Sequence, residues 1–282
     1  TITMITINPI RAFADNYIWA IGSQNSNQIV VVDPGDATPV LKYINEQALS
    51  LTAILITHHH YDHVGGIKKL TQHFPGIPVY GPENEDITGI TQFVSDQKKI
   101  QLNELIPQED KFCSSKQTTQ LNFNCSIEVI DVPGHTKGHI AYLAKSNNAL
   151  FCGDTIFAGG CGRVFDGTIE QLYHSIHQLK QLPKETKIYC AHEYTVDNLG
   201  FAKWVEPENT DLLKRDDEAM TLAEKGIPTV PSTLEMECKT NPFLRTHITE
   251  VVQAAQKYAG HTLKTELEVF SAIREWKDSQ YD

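Results

Sequence analysis

Apolar and polar positions along the first two-thirds of the chain predict short strands separated by helices. Runs of β-branched and other apolar residues recur there, and each run ends in turn-forming or polar residues, which is typical of buried strands. The strands predicted in this way cover residues 28–32, 53–56, 127–130, 149–152 and 187–190. Helical periodicity fills several intervals, as over 169–181, where Thr168 and Gln171 are placed to form a capping box. This alternation predicts a mixed α/β domain.

Beyond residue 195 the pattern changes, because the strand-like runs stop and helical periodicity takes over. Helices are predicted there over 211–225, 249–259 and 265–277. Gly226 and Gly260 follow the first two of them, as is common at helix ends. We therefore expect two domains, a larger α/β domain over residues 1–194 and a smaller all-helical domain over residues 195–282.

Composition and charge narrow the class of protein. Of the 282 residues, 40% are hydrophobic and 21% are charged, a balance that excludes a disordered or coiled-coil chain. The 24 Lys and Arg against 35 Asp and Glu give a formal net charge of −11. Such an acidic chain has no general attraction to phosphate backbones or anionic lipid, so nucleic acid and membrane surfaces are unfavoured partners.

The sequence carries no sign of a membrane span or of secretion. No apolar run approaches the ~20 residues that a span needs, and the first residues lack the features of a secretory signal. We therefore expect a cytoplasmic protein, with Met4 as its native first residue. The six cysteines are irregularly spaced and form no C-x-x-C pair, which disfavours both a disulfide framework and a thiolate zinc site.

Four of the twelve histidines lie within residues 58–63, directly after a predicted strand and before a helical stretch. Alternate side chains of an extended segment share a face, so His58, His60 and Asp62 can converge, while His63 turns toward a neighbouring point. Imidazole nitrogen and carboxylate oxygen suit zinc, iron or manganese. Because the cluster is too dense for one tetrahedral ion, it indicates two ions side by side.

Three further predicted strands are followed by residue types that bind metals, namely His135, Asp154 and His192. The carboxyl ends of strands are where open α/β sheets place their ligands. Any one of these residues alone is better explained as a hydrogen-bonded structural residue. Four strand ends that all offer such side chains together indicate a metal centre.

The motif His58-x-His60-x-Asp62-His63, followed in order by His135, Asp154 and His192, resembles the metallo-β-lactamase superfamily. Five further strings resemble one branch of it, the glyoxalase II or hydroxyacylglutathione hydrolase family. They are Asp15-Asn16-Tyr17, Val32-Asp33-Pro34-Gly35-Asp36, Pro133-Gly134-His135-Thr136, Gly160-Cys161-Gly162-Arg163 and Ala191-His192-Glu193-Tyr194-Thr195. The resemblance spans nearly the whole chain.

This resemblance implies an αββα sandwich with a dinuclear metal site, followed by a smaller all-helical C-terminal domain that binds substrate. It assigns one metal to His58, His60 and His135, and a second metal to Asp62, His63 and His192. It also implies that Asp154 bridges both ions. Zinc is the default metal, with iron or manganese as alternatives because no thiolate biases the choice.

Two adjacent dications lower the pKa of a shared water and polarise a carbonyl oxygen, which suits hydrolysis of an acyl compound. A thioester fits best because a thiolate leaves without help from a general acid. Asp62 and Asp154 are then expected to orient the attacking oxygen. The family resemblance implies S-D-lactoylglutathione as substrate, giving D-lactate and glutathione in the second step of methylglyoxal detoxification. We expect the enzyme to act as a monomer.

Glutathione carries two carboxylates, so the acidic chain must supply local cations. Arg274 and Lys277 lie three residues apart on the last predicted helix and match the family's basic pair for the glycine carboxylate. The alternative is an ordinary solvated helix end. Arg163 and Tyr194 match the remaining glutathione contacts, whereas Phe165 stands where some members have Tyr, so a hydroxyl contact is lost.

Other functions, most of them from the same superfamily, fit the sequence less well. A single-iron persulfide dioxygenase shares the first motif, but the second-metal set of Asp62, His63 and His192 favours the hydrolase. A tRNA-processing nuclease would need a basic surface, which the net charge contradicts. A β-lactamase has little use for the helical domain. A metal-stabilised binding module would close the metal's coordination, whereas this ligand set leaves a bridging position for water.

Overall fold

The computed structural model describes residues 4–103 and 121–282. The three residues before Met4 and the cysteine at 113 lie outside the described residues. By its internal contacts the chain divides into two compact units. The first comprises Thr1–Asp131 with Gly138–Ala149, and the second comprises Val132–Lys137 with Leu150–Asp282. The predicted domain boundary at residue 194 stays a prediction.

The first unit contains a six-stranded sheet. Its strands are β1 (Ile5–Ala12), β2 (Asn16–Ser23), β3 (Gln28–Val32), β4 (Ser50–Leu55), β5 (Val79–Pro82) and β6 (Gln92–Val94), in spatial order β1-β2-β3-β4-β5-β6. The first three strands pair antiparallel, and β3 to β6 pair parallel. Three further strands, β7 (Lys99–Gln101), β8 (Ser126–Asp131) and β9 (Ile140–Ala144), pair antiparallel in chain order.

The helices of the first unit cover one face of its sheet. They are α1 (Ala37–Glu46), α2 (Tyr61–Val64) and α3 (Ile67–His73). Asp36 caps α1 by accepting a hydrogen bond from the Thr38 amide, and the buried face of this helix joins the core formed with β3 and β4. Val32 pairs with Leu55, so β3 and β4 end level with each other. The residues that follow these two strands therefore emerge at the same edge of the sheet.

The second unit is richer in helix. Its strands are β10 (Ala149–Gly153), β11 (Ile156–Phe157), β12 (Gly160–Cys161), β13 (Lys187–Cys190) and β14 (Ser232–Thr233). Strands β11 and β12 form a hairpin, and β13 lies between β10 and β14. The helices are α4 (Ile169–Leu179), α5 (Thr195–Val205), α6 (Thr210–Glu224), α7 (Leu234–Thr240), α8 (Thr249–Ala259) and α9 (Glu266–Trp276). A π-helical turn over Lys277–Tyr281 follows α9.

The predicted helices of this unit are confirmed to within a few residues. Helix α4 has the predicted capping box, in which the Gln171 amide donates to Thr168 Oγ1 and the Thr168 amide donates to Gln171 Oε1. Sequence reasoning missed α5 and α7, and it did not foresee the two-residue strand β14 beyond residue 195. Helix α5 has buried residues on several sides, so its apolar positions form no single stripe that a periodicity search could find.

Within the described ranges, none of the helices combines the length and apolar character that crossing a membrane requires.

Candidate metal centre

The predicted ligand segment 58–63 leads from β4 into α2 in the first unit. His58 and His63 are fully buried, while the Asp62 side chain remains 38% exposed. His58 Nε2 lies 3.1 Å from His60 Nδ1, and His63 Nε2 lies 3.3 Å from Asp62 Oδ2. The ring centroids of His58 and His63 are 4.1 Å apart. The structure therefore brings these four predicted ligands together.

Asp33, the residue after β3, fixes the orientation of this cluster. Its carboxylate accepts hydrogen bonds from the Thr57 amide at 2.8 Å and the Thr57 hydroxyl at 2.6 Å, and it lies 2.9 Å from His63 Nδ1. Thr57 Oγ1 in turn lies 2.9 Å from His58 Nδ1. Engaging the Nδ1 atoms directs the Nε2 atoms of both rings toward a metal, as second-shell partners do in metal sites.

The contacts of the Asp33 side chain extend well beyond the Pro-Gly turn that follows this residue. The side chain reaches across the sheet edge to residues 24 and 30 positions away. Its backbone also has a φ of 53°, a left-handed conformation that costs free energy in a residue with a side chain. One ligand atom each from Asp33, His58 and His63 lies within 4.8 Å of the others, so this unit contains a His/Asp cluster able to bind a metal ion.

Two residues of the quoted motifs hold Asp62. Asn16 Nδ2 donates to Asp62 Oδ2 at 2.9 Å, which fixes the carboxylate that the family resemblance assigns to the second metal. Gly35 lies against the backbone of Asp62 so closely that a Cβ atom at residue 35 would overlap the Asp62 carbonyl. The Asp-Asn-Tyr and Asp-Pro-Gly-Asp strings therefore have a physical role beside the ligand segment.

Glu85 is a further supporting residue that sequence reasoning missed. Its side chain is 3% exposed and accepts from the His59 amide at 2.6 Å and from the Gly138 amide at 3.2 Å. The His59 ring also bonds Glu85, with Nδ1 2.8 Å from Glu85 Oε2. Next to Gly138, His139 stacks on the ring of His58 at 4.5 Å. Glu85 thereby ties the ligand segment to the segment that precedes β9.

The other three predicted ligands lie in the second unit, where they form a compact group. Asp154 Oδ2 lies 3.3 Å from His135 Nε2 and 3.4 Å from His192 Nε2. All three residues are buried. His135 Nδ1 donates to the Arg163 carbonyl at 2.7 Å, which directs its Nε2 atom toward Asp154. One carboxylate oxygen between two imidazoles is the arrangement that a bridging ligand requires.

Comparison with known proteins identifies the chain. Residues 15–192 match the family model of the metallo-beta-lactamase superfamily, and residues 193–280 match that of the hydroxyacylglutathione hydrolase C-terminus. The hydroxyacylglutathione hydrolase of Nitrosomonas europaea is 44% identical over 98% of this chain and 97% of its own. That of Aliivibrio fischeri is 46% identical over 98% of this chain and 99% of its own. The chain belongs to the hydroxyacylglutathione hydrolase family.

A solved structure shares the fold at lower identity. The crystal structure of ETHE1 from Myxococcus xanthus superposes on this hydroxyacylglutathione hydrolase family member with a TM-score of 0.60. The match covers 99% of this chain and 93% of the ETHE1 chain, with 22% sequence identity. The predicted fold class, a metallo-β-lactamase fold followed by a helical C-terminal domain, is confirmed. The prediction of an enzyme of the glyoxalase II type is confirmed by the full-length relatives.

An aromatic group lies beside His192 in this family member. The Tyr194 ring stacks on the His192 ring at 4.8 Å, and Phe157 contacts the Tyr194 ring edge-on at 5.1 Å. Glu193 anchors the same segment, because its carboxylate accepts from the Thr229 amide at 2.7 Å and the Thr229 hydroxyl at 2.6 Å. Tyr194, a predicted glutathione contact, is therefore held in a fixed position next to a predicted metal ligand.

The other predicted glutathione contacts, Arg163, Arg274 and Lys277, form a group in the second unit that we term the cation triad. Arg274 and Lys277 are only 3% and 6% exposed, which does not fit the alternative of a solvated helix end. Arg274 Nη1 donates to the Cys161 carbonyl at 3.0 Å, and all three cations pair with carboxylates of Asp278 or Asp282. Their role toward glutathione stays a prediction.

A buried network holds the β11–β12 hairpin whose residue Cys161 bonds Arg274. Glu237 Oε2 accepts from the Gly159 amide at 2.9 Å and from Asn241 Nδ2 at 3.0 Å, while its other oxygen pairs with Arg215 at 2.5 Å. Burial alone would raise the pKa of Glu237, but the charge and hydrogen bond of Arg215 lower it below its ordinary value. The ionised carboxylate therefore fixes the hairpin.

The cysteines near these groups have buried thiols. Burial raises the pKa of the Cys190 thiol to about 12 and that of Cys161 to about 11. Neither side chain is therefore a thiolate nucleophile at neutral pH.

Phe165 is 63% exposed, and its ring contacts the His135 ring edge-on with 5.1 Å between the ring centroids. The predicted loss of a hydroxyl at this position thus falls beside a predicted ligand.

Proposed function

We propose that this chain hydrolyses glutathione thioesters of 2-hydroxy acids, with S-D-lactoylglutathione as the main substrate. The products are D-lactate and glutathione. The observation that carries the proposal is the arrangement of Asp154, whose one oxygen faces two imidazoles, that of His135 oriented by its hydrogen bond to the Arg163 carbonyl and that of His192 stacked on Tyr194. The relatives at 44–46% identity over nearly the full chain support the substrate class.

The proposed metal ligands follow the sequence prediction. His58, His60 and His135 would hold one ion, Asp62, His63 and His192 would hold a second, and Asp154 would bind both. When bound, two divalent ions polarise the thioester carbonyl and lower the pKa of water toward neutrality. The donor set of nitrogen and oxygen atoms fits zinc as the default metal and also accommodates iron or manganese.

The protein's own carboxylates direct the reaction. Asp62, held by Asn16 at 2.9 Å, and Asp154 orient the attacking water toward the thioester carbonyl. The leaving thiolate has a low pKa, so the reaction needs no protonated acid beside the leaving group. This explains why the site requires orienting carboxylates but no residue dedicated to donating a proton.

The peptide end of the substrate is assigned to Arg163, Tyr194, Arg274 and Lys277. Three cations match the carboxylates of glutathione, and the stacked Tyr194 ring offers a hydroxyl group and an apolar face. On this proposal, residues 1–194 form the catalytic domain and residues 195–282 the substrate-binding domain. We expect a monomer, and we expect it in the cytoplasm, a location that is supported by the free thiols of five described cysteines.

The function is tested by assaying purified protein with S-D-lactoylglutathione while its metal content is measured by elemental analysis. We expect thioester hydrolysis and two metal ions per chain in fully active enzyme, since seven ligands exceed what one ion uses. Oxygen consumption with a glutathione persulfide, in the absence of thioester hydrolysis, would instead indicate the dioxygenase. Full activity with no more than one equivalent of metal would contradict the dinuclear site.

A further inference from the structure

The cation triad is engaged by two carboxylates of the same chain, Asp278 and Asp282, which we term the acidic pair. Arg274 Nη2 donates to Asp278 Oδ1 at 2.7 Å and to Asp282 Oδ2 at 3.2 Å. Lys277 Nζ donates to Asp282 Oδ1 at 2.5 Å, and Arg163 Nη2 lies 3.1 Å from Asp282 Oδ2. Asp282 therefore contacts all three cations.

The donors of Arg274 are almost completely used by these contacts. A guanidinium group has five N–H donors. Nη1 donates to the Cys161 carbonyl at 3.0 Å and lies 3.7 Å from its sulfur, while Nη2 serves both carboxylates of the acidic pair. The side chain is 3% exposed, so water has little access to it. Arg274 Nε is buried and has no hydrogen-bond partner among the described residues, but Nη2 can bind a substrate carboxylate only if a carboxylate of the acidic pair leaves.

Asp282 is an ionised competitor at neutral pH. Burial alone would raise the pKa of its carboxyl, but the hydrogen bond and charge of Lys277, with Arg163 and Arg274, lower it below the ordinary value. With both aspartates ionised, the group of three cations and two anions carries a net charge of +1. The carboxylate of a peptide ligand therefore meets a much weaker positive field than the cations alone would produce.

The backbone that carries Asp282 is anchored, so exchange requires only a side-chain rotation. The Tyr281 ring contacts Phe201 at 5.6 Å and Trp204 at 5.0 Å, and both of these residues belong to α5. Asp282 retains 16% exposure of its side chain, and Asp278 retains 40%. Each carboxylate can therefore turn toward solvent while the turn over Lys277–Tyr281 stays in place.

We propose that Asp282, assisted by Asp278, competes with the substrate's peptide carboxylate for the cation triad and so sets the affinity for glutathione thioesters. The inference rests on the proposed function, because it takes the triad as the glutathione subsite. A ligand with a peptide carboxylate replaces Asp282 and restores the charge balance. A ligand without that carboxylate leaves the internal pairs intact and gains nothing from the triad. Asp282 thus limits affinity for a ligand with the peptide carboxylate, and it does not affect the binding of an analogue that lacks this carboxylate.

The test compares Asp282→Asn with the wild type by calorimetric binding of S-methylglutathione and by steady-state kinetics. Asn keeps the size of the side chain but removes its charge. We expect S-methylglutathione to bind about 3- to 10-fold more tightly, and KM for S-D-lactoylglutathione to fall by a similar factor, as the loss of one competing ion pair predicts. The turnover number should not change, because the substitution lies at the peptide end.

Two controls distinguish competition at the cation triad from a general effect of charge. Glu275→Gln removes one negative charge from an exposed position of α9. It should leave the affinity for S-methylglutathione and the KM for S-D-lactoylglutathione unchanged. S-methylglutathione whose glycine carboxylate is converted to an amide should bind wild type and Asp282→Asn equally. The proposal would be overturned if Glu275→Gln also bound S-methylglutathione more tightly, or if Asp282→Asn bound the amide more tightly than the wild type does. Either result would mean that the ligand responds only to the overall charge of the protein.

Weaker binding by Asp282→Asn would also overturn it, because Asp282 would then position the cations and not compete with the substrate. Arg274→Ala separates this failure from a failure of the proposed function. If Arg274→Ala weakens S-methylglutathione while Asp282→Asn has no effect, the subsite is correct and the competition is wrong. If neither substitution changes binding, the triad is not the glutathione subsite and both proposals fail.

Discussion

The ligand segment 58–63 of the first unit and the cation triad of the second both gather groups that bind a charged partner, yet their hydrogen bonds are arranged differently. In the ligand segment, neighbouring side chains bond the far side of the rings, as Asp33 does at His63 Nδ1, 2.9 Å away. In the cation triad, the internal partners occupy the donors themselves, as Asp282 does at Lys277 Nζ.

This contrast separates two kinds of preorganisation. A second-shell bond at Nδ1 fixes the ring and its tautomer, while Nε2 of His58 and of His63 faces the other predicted ligands His60 and Asp62. A carboxylate bonded to a guanidinium occupies the same donors that the substrate needs. Substitutions beside the metal ligands should therefore change metal binding and turnover, whereas substitutions around the triad should change the apparent affinity for substrate.

The largest effect is expected for Asp154→Ala, which removes the group proposed to bind both ions. Turnover should fall by at least about 10³-fold, since several kcal/mol of transition-state stabilisation depend on the metals. The fold should survive, because Asp154 belongs to the site and not to the apolar core. Steady-state kinetics, elemental analysis and thermal unfolding together test this. Asp217→Ala, an exposed carboxylate of the same unit, is the matched control.

Near-normal activity with two metals bound to Asp154→Ala would refute the bridging role. Complete unfolding would instead show that the carboxylate between His135 and His192 is needed for structure. In that case Asp154→Asn, which keeps the size of the side chain, allows the loss of turnover to be measured on folded protein.

A smaller effect, and one confined to substrate affinity, is expected for Arg274→Ala and Lys277→Ala. Each should raise KM for glutathione thioesters by about 10- to 100-fold, because a buried charge-assisted hydrogen bond contributes about 1.5–3 kcal/mol. Small thioesters that lack the peptide should be hydrolysed at an almost unchanged rate, since binding common to ground and transition states is what is lost. Kinetics with both substrate classes provide the measurement.

Lys257→Ala removes a cation from an exposed position of α8 and serves as the control. If the double variant of Arg274 and Lys277 treated both substrate classes alike, the triad would be a structural ion-pair group. The proposed recognition of glutathione would then depend on Arg163 and Tyr194 alone.

The ligand segment could be predicted from the sequence because its chemistry is local. His58, His60 and Asp62 alternate along an extended segment at a strand end, and His63 opens the next helix, so spacing alone brings the four together. The side chains of the supporting residues Asn16, Asp33 and Glu85 bond residues that lie 24 to 53 positions away in the sequence. Only the order and register of the strands bring such residues together, and a single sequence does not reveal these.

The cation triad, too, could be predicted only in part from the sequence. Arg274 and Lys277 could be identified as neighbours on a helix, and Asp278 follows Arg274 by four residues, a spacing that pairs charges on one helix face. Their burial could not be predicted, because it depends on the Cys161 carbonyl 113 residues earlier. An isolated helix with this sequence would expose the same residues to water. Only the fold converts a solvated helix end into a buried ion-pair group.

The smallest of the effects that test the contrast is expected for Asp33→Asn. Asp33 accepts from Thr57 through both carboxylate oxygens and bonds His63 Nδ1, whereas the amide places an N–H group against one of these donors. His63 would then lose the partner that fixes its tautomer, and metal affinity should fall by about 10-fold, the lower end of second-shell effects. Metal competition with a chelator of known affinity measures this directly, and Asp86→Asn, an exposed position of the same unit, is the control. The KM of a fully metal-loaded variant should not change. A raised KM with unaltered metal affinity would mean that Asp33 acts on the substrate. The proposed separation between residues that control metal binding and residues that control substrate affinity would then be wrong.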